Sequence, residues 1–272
     1  MPRATVLSPR EILSAAWPLF KAGLPVCLPL AVVGVAAGAT PGAEAAMTGA
    51  ARGFVHSREW WGLAFASTVL TLICYGAVLR HQLALAEGGR PRVLDSLRRA
   101  AVDVPFVAVV VLLLAVPLLP AMLATAWHGF DMQAALLTLL AGVVMIYGWF
   151  AWPALVDPDV QAGFQGSHSW ESRRRSPLAA MACSVRAVRG RWRAVAGVAG
   201  ALIAAVLVFV MLTGIFIGMV MELGGQASPS AKGLAFSRWL MAVILAVPVV
   251  YGGAVTVSAW RALRINAAST PP

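Results

Sequence analysis

Few side chains in this sequence belong to the types that do acid–base, nucleophilic or metal chemistry, and they are scattered. The four histidines, His56, His81, His128 and His168, fall in four different loops or helix ends. None has the spacing of HExxH or another metal-ligating pattern. His128 and Asp131 stand three residues apart and could meet on one helical turn, either as a lone metal or acid/base pair or as a solvated turn. Asp157 and Asp159 read as ending a helix or solvating a loop. Cys27, Cys74 and Cys183 are odd in number, far apart and outside any CxxC, which argues against a disulfide framework or a zinc site and for buried thiols. There is no GxSxG and no P-loop Gly-Lys-Ser/Thr. The expectation is therefore a non-enzyme with no catalytic residues, no metal ligands and no cofactor.

Two groupings remain. The first is Ser172 to Arg193, SRRRSPLAAMACSVRAVRGRWR, with seven arginines and no acidic residue. It runs directly into the apolar stretch Ala194 to Met221. A basic block beside such a stretch is an orientation signal, because Lys and Arg are retained on the cytoplasmic side. Arg173, Arg174, Arg175, Arg186, Arg189, Arg191 and Arg193, with Arg98 and Arg99 of an earlier segment, are the expected contacts to anionic headgroups. The second grouping is Thr68, Thr71 and Tyr75, an i, i+3, i+7 stripe that could line a polar path. Such mild polar groups more commonly hydrogen-bond between helices.

The elements that hold these residues are membrane elements. Of 272 residues, 60% are hydrophobic and only 12% charged, against about 25% charged in a soluble protein. Net charge is +10, and nineteen of the 21 basic residues are Arg. In so apolar a chain this excess reads as a cytoplasmic collar rather than a nucleic-acid surface, since no recognition motif accompanies it. Residues 8 to 23 form an amphipathic segment opened by Ser8-Pro9, with Leu13, Ala16, Trp17 and Phe20 on one face. Leu24 to Gly38 follows as a short first span, with a loop predicted over 40 to 59. The second span is predicted at Gly62 to Leu79 and the third at Val104 to Ala126, the latter kinked by Pro117 and Pro120. A tight turn leads to a fourth span at about Met132 to Val156. Ala194 to Met221 is the fifth and Arg238 to Trp260 the sixth. A signal peptide is the weaker reading of the N-terminus, because the leader is long, polar and contains Glu11.

Assigned to alternating sides, seventeen basic residues fall on one face of the membrane and four on the other. That bias predicts a single polytopic domain over 1 to 272, in a bacterial inner membrane, with both termini in the cytoplasm.

A threefold pattern runs through the chain. SPREILSAAWPLFKAG, RPRVLDSLRRAAVDVP and SPLAAMACSVRAVRGRWR each start at a proline, run as a basic amphipathic segment and enter a pair of spans. Within the second segment, Val93, Leu94, Leu97 and Ala101 share a face; within the third, Leu178, Met181, Val185 and Val188 do. The expected fold is an all-α, six-span membrane protein of three helical hairpins, units of about 8 to 80, 90 to 157 and 176 to 262. Each is preceded by an interfacial amphipathic helix on the cytoplasmic side.

GAVLRHQLALAEGGRPRVLDSLRRA and SPLAAMACSVRAVRGRWRAVAGV resemble the cytoplasmic turns of a loosely defined bacterial superfamily. It includes YciC-like inner-membrane proteins and the membrane domain attached to some glycerophosphodiester phosphodiesterases. The resemblance covers nearly the whole chain and implies a six-span helical bundle without catalytic residues of its own.

The functional expectation is a non-enzymatic integral membrane protein that contacts anionic lipid or supports a protein partner not identified by any motif. A small transporter or permease subunit is the alternative. Gly214 and Gly218 form a GxxxG that would serve helix packing.

Overall fold

The computed structural model describes residues 8–47, 57–128, 132–157, 176–223 and 231–268. All the regular structure among these is helical. The helices are α1 (Pro9–Met47), α2 (Arg58–Ala86), α3 (Val93–Ala115), α4 (Leu119–His128), α5 (Met132–Gly148), α6 (Ala151–Val156), α7 (Pro177–Val188), α8 (Trp192–Leu223) and α9 (Ala231–Ala268). Six helical stretches are long and apolar enough to cross a membrane: Pro9–Pro41, Arg58–Ala86, Val93–Thr125, Ala135–Val156, Trp192–Ile215 and Trp239–Arg264. A lipid core about 30 Å thick needs roughly 20 residues of helix, and all six meet that.

Several boundaries differ from the sequence reading. The first amphipathic segment is the opening of α1, not a separate helix, and α1 runs on to Met47 through part of the predicted loop. Pro18, Pro25 and Pro29 are tolerated inside it because they fall on one exposed line. Ile12, Ala16, Phe20, Cys27 and Ala31 form the buried line opposite. A helix with prolines on its outer face keeps its inner bonds and bends. Trp17, on the same face as Ala16 and Phe20 in the sequence reading, is 52% exposed; it carries the Lys21 ammonium over its ring at 5.9 Å.

The second amphipathic segment is likewise continuous with α3. Its buried line is Ser96, Ala100 and Asp103, while the apolar Val93 and Leu94 point outward. Small residues let helix backbones approach closely, and in lipid a leucine has no need to turn inward. The third segment is separate. Ser176 caps α7 by accepting from the Ala179 N–H at 3.3 Å, and Pro177 follows. The chain then turns at Gly190, whose φ of 82° suits glycine.

Pro117 breaks the third span as expected, through a 3-10 turn at Val116–Leu118. The break between α5 and α6 was not expected. Pro153 has no N–H for the Trp149 carbonyl and its ring crowds that oxygen, so the helix cannot pass through Trp149 unaltered.

The described residues fall into two compact units. One draws on Met1–Ala16, Val102–Ala199 and Val255–Pro272, and its core includes Val107, Phe150, Val188, Val195, Trp260 and Leu263. The other draws on Trp17–Ala101 and Gly200–Ala254. Its core includes Phe20, Cys27, Cys74, Val78, Leu79 and Val250.

Candidate functional site

The densest polar arrangement among the described residues lies in the first unit and is built on Asp157. This residue caps the C-terminus of α6, its N–H donating to the Pro153 carbonyl, and its side chain is fully buried. A carboxylate at a helix C-terminus faces the negative end of the macrodipole, so it needs strong donors elsewhere. Two come from α9. The Trp260 Nε1–H donates to Oδ2 at 2.7 Å. Arg264 Nη1 donates to Oδ1 at 2.8 Å and to Oδ2 at 2.9 Å. Trp260 and Arg264 stand four apart, one above the other on the helix. Sequence reasoning gave Asp157 the helix end correctly but left it in a solvated loop; burial and the ion pair overturn that part.

The same ladder on α9 holds the rest of the unit. Trp260 stacks on Phe150, with ring centroids 6.0 Å apart. One turn back, Thr256 accepts from Trp149 Nε1 at 3.1 Å. Arg191 Nη1 reaches the Leu263 carbonyl at 3.3 Å. The α5–α6 break is bridged from α7: Ser184 Oγ donates to the Tyr147 carbonyl at 2.6 Å and accepts from the Phe150 N–H at 3.1 Å. One hydroxyl thus satisfies a carbonyl and an N–H on the two sides of the break. Beside Asp157, burial pushes the Cys183 thiol above its ordinary pKa; Arg186 opposes this and Asp157 adds to it. Cys183 is half-buried, whereas Cys27 and Cys74 are buried. With both carboxylate oxygens taken by indole and guanidinium donors, Asp157 is built to join helices.

In the second unit the corresponding joint is Gln82, fully buried. Its Nε2 donates to the Val250 carbonyl at 2.9 Å. Gly253 makes the room: a Cβ there would stand 2.5 Å from Gln82 Oε1. Thr71 Oγ1 donates to the Gly34 carbonyl at 3.0 Å and to the Ser67 carbonyl at 2.8 Å, tying α2 to α1. Thr68 faces outward and bonds back to Ala64 in its own helix at 2.7 Å. Tyr75 is half-buried.

The expected headgroup arginines separate into distinct settings. Arg98, Arg99, Arg186, Arg189 and Arg193 are exposed. Arg193 lies over the Trp192 ring at 5.7 Å. Arg191 is half-buried on the Leu263 carbonyl. Arg173, Arg174 and Arg175 lie outside the described residues, as do Asp131, Asp159, His56, His168 and the side chain of His128. His81 is buried. No three of His, Cys, Asp and Glu gather among the described residues. Gly214 meets no neighbour that a Cβ would touch, and the packing at Gly218 lies outside what is described.

The helix ends Trp260–Arg264 and Gln82 were missed by sequence reasoning. The available signals were a Trp and an Arg four apart at a span's end, and a glycine at 253 that a long buried side chain would require.

Comparison with protein-family models, with characterised proteins and with solved structures finds no match to this chain.

Proposed function

We propose that this chain is a non-enzymatic, six-span protein of a bacterial inner membrane, with both termini in the cytoplasm, that contacts anionic lipid or supports a membrane partner. The observation that carries the reading is the combination of six membrane-length apolar helices with arginines exposed beside them on α3 and α7. The asymmetry of seventeen basic residues against four supplies the orientation. In this reading three helical hairpins follow three basic interfacial segments. The similarity of 76–100 and 176–198 to YciC-like proteins and to phosphodiesterase-linked membrane domains belongs to the same proposal.

A lipid role is favoured over transport by where the polar groups go. Thr71 is engaged between two helices and Thr68 bonds within its own. Asp157 and Gln82 join helices in the same way. The test is native mass spectrometry after gentle extraction. Specific retention of anionic lipid supports the reading; equal retention of zwitterionic lipid, or none, refutes it.

A further inference from the structure

We propose that the outward edge of α7, continued into the first turn of α8, is the surface that meets anionic headgroups, and that Arg186, Arg189 and Arg193 act there while Arg191 and Arg264 do not. The inference rests on the membrane reading above and divides the basic residues that reading treats together.

The division follows from what each arginine touches. Arg264 is held by the fully buried Asp157. Arg191 is turned onto the Leu263 carbonyl, fixing the corner after Gly190. Both serve the interior of the unit. Arg186, Arg189 and Arg193 are exposed, and no carboxylate among the described residues forms an ion pair with them. They are held on a rigid base: α7 buries Ala180, Ser184 and Val188, and Ser184 is fixed to the α5–α6 break at 2.6 Å and 3.1 Å.

The occupant follows from what lies beside the arginines. Leu178 is 68% exposed and Val185 40% exposed, on an edge about 110° round from the buried line. At about 100° per residue they share one edge, and Arg186 follows about 100° further round from Val185. Trp192, 47% exposed, adds a ring at the start of a membrane-length helix. A free phosphate or a soluble acidic peptide would match the charge and leave Leu178, Val185 and Trp192 facing water. The boundary of an anionic bilayer matches both: apolar edge into the acyl region, guanidinium groups at the phosphates, Trp at the interface.

The test uses the purified full chain in a neutral detergent, titrated with phosphatidylglycerol or phosphatidylcholine, following thermal unfolding. Phosphatidylglycerol is expected to raise the midpoint at lower concentration than phosphatidylcholine. R186Q is expected to weaken that preference about fivefold, and R186Q/R189Q/R193Q to abolish it. The triple variant should keep the wild-type midpoint in detergent alone. R191Q should do the reverse, lowering the midpoint in detergent while keeping the lipid preference. L178N leaves every arginine in place and is expected to weaken the phosphatidylglycerol effect by removing the apolar edge. A triple variant that keeps the preference, an L178N that leaves it unchanged, or glycerol 1-phosphate that reproduces it each overturns the proposal. Failure of the membrane reading looks different: the chain would leave membranes on alkaline carbonate washing.

Discussion

Breaking the Asp157–Arg264 pair from its two ends should give unequal losses. Arg264→Leu leaves the fully buried carboxylate without its guanidinium partner, while the Trp260 indole still donates to it. Removing one partner of a buried pair costs about 3–5 kcal/mol, because the other charge stays behind. A loss of that size is expected for Arg264→Leu. Asp157→Asn is gentler. The amide oxygen still accepts from Trp260, and the stranded guanidinium is 28% exposed and can rehydrate. What goes is a hydrogen bond between charged groups in a partly wet setting, about 1–2 kcal/mol.

The double variant Asp157→Asn/Arg264→Leu should fall well short of the sum, with a coupling of about 2 kcal/mol, because the buried charge that makes Arg264→Leu costly is gone. Equilibrium unfolding in mixed micelles, followed by Trp fluorescence, measures all three. Trp260 lies within the joint, so a far-UV helix signal serves as the second probe. The reasoning is refuted if Asp157→Asn is as damaging as Arg264→Leu, or if the two losses add.

Other expectations follow from single contacts. Ser184→Ala should cost about 1–3 kcal/mol by leaving the Phe150 N–H and the Tyr147 carbonyl without their bridge, read by the same unfolding assay. Gly253→Ala should destabilise by about 1–3 kcal/mol as the new Cβ displaces Gln82; Gln82→Ala in the same chain should recover part of that loss. Cys183, with its thiol raised by burial, holds less thiolate at neutral pH than an ordinary cysteine. Its maleimide labelling in the native protein should rise only above the normal thiol range, and Arg186→Gln should shift that rise further up by removing the opposing cation. The unfolded chain ionises first, so this group contributes stability that is whole below the ordinary thiol pKa and falls as pH rises through it. An alkaline phosphatase reporter at the C-terminus should be inactive; activity would place that end outside and refute the orientation drawn from the basic residues.

The spans were legible because their signal is local and redundant. Val93–Thr125 and Trp192–Ile215 each hold a long apolar window, and no single residue decides the matter. Pro117 and the start of α7 at Pro177 were legible for a related reason, since each proline acts on its own helix. The faces of the helices were read less well. The shared face of Val93, Leu94, Leu97 and Ala101 was read from the sequence, but Ser96, Ala100 and Asp103 supply the buried line while Val93 and Leu94 stay exposed. In lipid the apolar side chain and its surroundings are alike, so close approach, not hydrophobicity, selects the inner face. Asp157 was missed because its partners lie over a hundred residues away, and nothing in LVDPD tells a capping carboxylate in water from one waiting for a guanidinium. The α5–α6 break was missed because Pro153 was not considered, although a proline there leaves the Trp149 carbonyl without its helical donor.

The charge count and the structure therefore address different moments in the life of the chain. Orientation is set while spans enter the membrane, before α6 and α9 have met, so Arg191 and Arg264 bear on it as fully as Arg186. Once folded, Arg264 faces Asp157 and Arg191 faces a carbonyl, and neither presents a free field to the bilayer. A substitution at Arg264 should therefore damage stability far more than lipid preference, and one at Arg189 the reverse, although sequence alone ranks them as members of the same cytoplasmic collar. The ratio of the two effects, measured residue by residue, separates arginines that build the unit from arginines that dock it, and a uniform ratio across Arg186, Arg189, Arg191, Arg193 and Arg264 would show that no such division exists.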